Sequence, residues 1–206
     1  MNRIILYLLS VLLLGLTGCT TFQGYIDMAR DKGLSNEYQT VLKEWTRTQM
    51  VHSQFETKVM ITSTLKSQAF YQAWFNEYER IYQEASPERK KWEESQSGLN
   101  ADFTEFLFYA YLPEKEANDF DRQRSVWKVF IVDHEGRRIE PLEIRRFNKI
   151  TPVMEAFYPY INKYYGDFYS MKFDPLAGIN VKAGDPPRKP IKLVMTSVIA
   201  RVELEW

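Results

Sequence analysis

One cysteine, Cys19, standing directly after an apolar run, constrains this chain more than any other feature. Residues 1–19 read MNRIILYLLSVLLLGLTGC. Asn2 and Arg3 form a short polar, cationic head, and residues 4–14 are apolar apart from the hydroxyls of Tyr7 and Ser10. A cation, an apolar core and then small residues make up a secretory signal. A spanning helix needs about 20 apolar residues, more than this run holds. A cleaved signal is therefore the expectation over an uncleaved anchor. A lone cysteine allows no disulfide within the chain, so an exported fold must be held by packing alone.

The four residues Leu16-Thr17-Gly18-Cys19 resemble the lipobox that ends the type II signal peptide of bacterial lipoproteins. The resemblance implies cleavage after residue 18 and acylation of Cys19. Each buried methylene of an acyl chain contributes about 0.8 kcal/mol, and one chain alone holds only marginally. The family attaches three, which makes release slow. Thr20 resembles the residue that follows the cysteine in outer-membrane lipoproteins of Gram-negative bacteria. The expected division is a signal over 1–18, the lipidated Cys19 with a short tether helix over 19–34, and one globular domain over 35–206.

Removing an 18-residue signal from 206 residues leaves 188, enough for a real core. Basic and acidic residues number 27 each; losing Arg3 leaves 26 against 27, with no basic excess to draw nucleic acid. Thirteen Tyr, thirteen Phe and five Trp supply large buried area per residue in a chain without disulfides.

Phe22, Tyr25, Ile26 and Ala29 recur at helical spacing, and Gly33 stands where such a helix would end. Ser35 caps a second helix over 35–46, with Tyr38, Val41, Leu42 and Trp45 on one face. Over 50–65, Val51, Phe55, Val59, Ile61 and Leu65 alternate with polar residues, which predicts one half-buried strand. Ser67 caps a helical region over 68–96. Phe70, Ala73, Trp74, Ile81 and Ala85 form its inner face, Glu77 is among the residues facing away, and Ser86-Pro87 marks a restart.

Strands dominate the remainder. They are expected over 103–112 and 126–132, then over 138–147 after a turn at Asp133-His134-Glu135-Gly136. Further strands are expected over 168–173 and 191–206, the last with Val194, Val198, Ala200, Val202, Leu204 and Trp206 on one face. Thr151 and Pro152 start a helical turn, and 175–190 lacks periodicity. The fold class is therefore α+β: N-terminal helices plus an antiparallel β-sandwich. The order resembles bacterial lipoproteins with a helical N-terminal part and an immunoglobulin-like sandwich, an architecture that brings no particular activity with it.

The chain has no nucleophile elbow and no glycine-rich phosphate loop. His52 and His134 lack partners at ligand spacing, so ordinary surface histidines are expected and no metal or other cofactor is assigned. Asn118-Asp119-Phe120-Asp121 lacks the glycine and terminal glutamate of a calcium loop, and a turn with side chains bonded to its own backbone is favoured. Tyr158, Tyr160, Tyr164 and Tyr165, with Arg188 and Lys189 in the loop over 178–190, form a candidate binding surface, since tyrosine surfaces bind peptides and sugars. The favoured reading of the tyrosines is nevertheless that they fill one end of the sandwich. The expected role is non-enzymatic: a lipid-anchored structural or interaction module facing the periplasm, with envelope proteins or peptidoglycan as partners. Two other roles stay open, an envelope hydrolase acting on peptidoglycan or glycan through carboxylates brought together by folding, and a carrier of a small apolar ligand.

Overall fold

The computed structural model describes residues 33–96, 103–176 and 189–206. The signal over 1–18, Cys19, the stripe of Phe22, Tyr25, Ile26 and Ala29, the Ser97-Gly98 stop, most of the 175–190 loop and Arg188 lie outside the described residues.

Helix α1, Asn36–Trp45, begins where the Ser35 hydroxyl accepts the Tyr38 N–H and buries Tyr38, Leu42 and Trp45. It leads straight into β1, Thr46–Ser53, which pairs with β2, Glu56–Leu65. The alternating run over 50–65 is thus not one strand. Gln54, with φ of 57°, turns the chain back, and Phe55 projects from the turn instead of facing inward. A register shift between Val51 and His52 lets the alternation pass through the bend unbroken.

Ser67 caps α2, Gln68–Tyr82, by accepting the Phe70 N–H. Gln83 ends this helix in the left-handed region. Ile81 and Ala85, expected on the inner face, are exposed, whereas Glu77, expected outside, is buried. Helix α3, Pro87–Gln96, follows Ser86, whose hydroxyl accepts the Glu88 N–H.

Strands β3 (Thr104–Tyr111), β4 (Lys128–Val132), β5 (Arg138–Ile139) and β6 (Glu143–Arg146) come next, with a 3-10 turn at Lys115–Ala117. The expected single strand over 138–147 is split. Its first part pairs with β4, and its second pairs with β7, Asp167–Phe173, in the other sheet. Pro141 lies at the break, where a residue without an N–H cannot extend a ladder. Helix α4, Pro152–Phe157, is capped by Thr151. The closing run over 191–206 is a hairpin and not one strand: β8, Lys192–Thr196, and β9, Arg201–Glu205, join through residues 197–200.

All pairings are antiparallel, in a five-stranded sheet ordered β1-β2-β3-β7-β6 and a four-stranded sheet ordered β5-β4-β8-β9. The register places Ile61, Leu65, Phe106, Phe108, Tyr169 and Met171 on one face of the larger sheet. On that face Phe106 lies edge-on to Trp206, the residue after β9, at 5.2 Å, and Phe108 edge-on to Phe120, in the loop before β4, at 5.2 Å. The opposite face, carrying Thr62, Thr64, Tyr109 and Phe168, lies under the helices. There Tyr158 packs between Phe70 of α2 and Phe168 of β7, and the Thr64 and Tyr160 hydroxyls bond at 2.9 Å. The larger sheet is thus buried on both faces, which explains why so many aromatic residues are needed. Across the β1–β2 pair, Thr46 bonds Thr64 and Thr48 bonds Thr62, a polar ladder on a half-buried edge.

Candidate functional site

The two hairpins that sequence alternation concealed come together. β1 and β9 run side by side. The Gln49 side-chain oxygen accepts the Glu203 N–H at 2.6 Å, and Arg47 Nε donates to the Glu205 carbonyl at 2.7 Å. These bonds satisfy β9 backbone groups that an edge strand would otherwise leave open. They also bring the residue 53–56 turn near the residue 197–200 turn. In the second turn, the Ser197 hydroxyl accepts the N–H groups of Ile199 and Ala200. Phe55 is 105% exposed and Val198 98% exposed. Between the turns lies a shallow groove of about 430 Å³ lined by Thr57, Lys58, Tyr111, Pro113, Glu114 and Ile199, among others. Ion pairs flank the two turns: Lys58 with Glu56 at 3.0 Å, and Arg201 with Glu203 at 2.6 Å.

The candidate tyrosine surface divides in two. Tyr158 and Tyr160 are buried, so they pack inside and do not belong to the candidate binding surface: they fill the space between α2, α4 and the larger sheet. Burial pushes both phenols above their ordinary pKa. Tyr164 and Tyr165, by contrast, are 76% and 64% exposed. They sit on a fixed turn, in which Asn162 Oδ1 accepts the Tyr164 N–H and the Asn162 carbonyl accepts the Tyr109 hydroxyl. Gly166 closes the turn against β3; a Cβ there would collide with the Ala110 carbonyl oxygen and the Tyr109 ring. Lys189 is exposed.

Charge also enters the interior. Lys66, immediately after β2, pairs with Glu105 of β3 at 2.8 Å, and Tyr71 of α2 donates to the same carboxylate oxygen at 2.8 Å. The Lys66 ammonium also lies 4.5 Å from the centre of the Tyr71 ring. Burial works against the Glu105 carboxylate, but the Lys66 charge and the two hydrogen bonds outweigh it and hold its pKa low. Burial pushes the Tyr71 phenol up to about 12. This cluster ties the start of α2 to the centre of the sheet. Glu77 does similar work for α1, accepting the Ser35 N–H, the Ser35 hydroxyl and two Arg80 nitrogens. Neither cluster had a signal in the sequence, because the Glu105 and Ser35 partners lie 39 and 42 residues from Lys66 and Glu77.

The acidic loop resolves into a bracket for the fold. Asp119 accepts the Ser125 hydroxyl at 2.8 Å and the Val126 N–H, and the Asn118 side-chain nitrogen donates to the Ala110 carbonyl. Tyr169 and Arg146 then donate to the Asn118 carbonyl. His52 is exposed on β1, and His134 is exposed in the turn after β4. Among the described residues, no group of three His, Cys, Asp or Glu is placed to hold a metal ion. Among the same residues, no helix is long and apolar enough to cross a membrane. No protein-family model, curated protein or solved structure matches the chain.

Proposed function

We propose that this chain is a membrane-anchored lipoprotein of the cell envelope whose folded part is a structural or interaction module for envelope proteins or cell-wall polymer. The observation that carries the reading is Leu16-Thr17-Gly18-Cys19, which joins a secretory signal to the only cysteine of the chain. Thr20 favours the outer membrane and a periplasmic face. Two features support a binding role over hydrolysis. The buried carboxylates of Glu77 and Asp119 and the half-buried one of Glu105 are each engaged by donors that hold elements together. Among the described residues, the most exposed large apolar side chains, Phe55 and Val198, stand on adjoining turns. We read the sheets as the two layers of a β-sandwich, similar to immunoglobulin-like domains in its layering, with the helices as an outer third layer.

Fractionation of a Cys19→Ser variant tests the anchor. The expected product is unprocessed or soluble, and membrane association at wild-type size overturns the anchor. Crosslinking in cells followed by mass spectrometry tests the role. Specific envelope proteins or wall fragments are the expected captures. No specific capture, together with turnover of wall fragments by the purified protein, would make the chain a hydrolase instead.

A further inference from the structure

Phe55 and Val198 come from different sheets, stand in adjoining turns, and carry almost no protein contact over their side chains. Water-exposed apolar groups at that level have an energetic cost that a soluble turn avoids with Gly, Asn or Asp. Gln54 takes up the left-handed conformation that a glycine usually fills, and the apolar residue follows it at the tip. The Ser197 hydroxyl bonds hold the second tip in shape.

We propose that Phe55 and Val198 insert into the surface of a zwitterionic phospholipid bilayer and fix the orientation of the folded part upon it. The proposal rests on the reading of the chain as membrane-tethered. Two features favour lipid over a protein partner. Each tip carries a single, almost fully exposed apolar side chain, whereas a protein interface needs a continuous, complementary apolar centre. Both signs of charge also stand beside them, already paired, as Lys58 with Glu56 and Arg201 with Glu203. That pattern matches headgroups carrying both signs and calls for no anionic lipid. The Tyr111 ring, lining the groove behind the tips, supplies the amphipathic aromatic group that favours the headgroup level.

The test uses the full acylated chain in phosphatidylcholine vesicles. Cys19 is blocked by its lipid, so Phe55→Cys, Val198→Cys and Glu135→Cys each offer one thiol for an environment-sensitive dye. Glu135 lies in the turn at the far end of β4 and serves as the control. Dyes at 55 and 198 are expected to shift to the blue and to be quenched by lipids brominated on their tails, while the dye at 135 stays in water. Dyes at 55 and 198 that behave like the dye at 135 overturn the proposal, as does a photo-crosslinker at 55 that yields protein adducts and no lipid adducts. The intact mass of the native chain reads the tether separately. An acylated chain with dry tips absent sinks only the insertion, and an unacylated chain whose tips still enter vesicles sinks only the tether.

Discussion

Glu77, in the middle of α2, receives both the backbone N–H and the hydroxyl of Ser35, at 2.8 and 2.7 Å, across 42 residues of sequence. The same Ser35 hydroxyl caps α1. One buried carboxylate therefore fixes the start of one helix to the side of another.

Replacing Glu77 by Ala is expected to cost about 1–3 kcal/mol, the penalty for leaving a buried donor unpaired. Burial disfavours the Glu77 carboxylate, but the hydrogen bonds from Arg80 and Ser35 prevail and hold its pKa below the ordinary value. Its stabilisation is therefore complete above the unfolded pKa of about 4.3 and is lost as the pH falls through the folded value. Urea denaturation should show a wide gap between wild type and Glu77→Ala at pH 7, narrowing below about pH 4. A gap that stays constant with pH would contradict this.

The Lys66–Glu105 pair should show strong coupling. Either Glu105→Gln or Lys66→Met alone strands one partner of a mostly buried pair, at a cost of up to about 3–5 kcal/mol. The double variant keeps an acceptor for the Tyr71 hydroxyl and should recover most of that loss. A double-mutant cycle by chemical denaturation measures the coupling; additive losses would show that the charges are independent.

Tyr160 and Tyr164 lie four residues apart and should respond oppositely. Tyr160→Phe removes one of the two hydroxyl partners of the buried Thr64, leaving Thr46, and should cost about 1 kcal/mol. Tyr164→Ala removes an exposed ring and should change stability by less than about 0.5 kcal/mol. Thermal unfolding of both variants checks the contrast, and equal losses would place Tyr164 in the core.

Elements announced by local chemistry could be read in advance. Ser35, Ser67 and Thr151 cap the helices they precede, and Gly136, at φ of 80°, turns the chain after β4. What stayed hidden was non-local or lacked a marker residue. The turns at Gln54-Phe55 and at 197–200 contain no Gly, Pro or Asn, so period-2 alternation ran straight through them. Alternation alone therefore puts Phe55 and Val198 on the shared apolar face of a continuous strand, although they are the most exposed large apolar groups among the described residues. Glu77 looked like a solvated helix position because its partner arrives from α1. Tyr158 and Tyr160 could not be told from Tyr164 and Tyr165 by type or spacing; only the packing of α2 and α4 on the sheet separates them.

The whole account depends on whether the thiol at position 19 carries lipid. Intact-mass spectrometry of the chain purified from its native membrane should find the first residue to be Cys19, heavier than the bare peptide by its acyl groups. A chain that retains Met1, or one whose Cys19 sulfur is free, would contradict the tether and the envelope role built upon it.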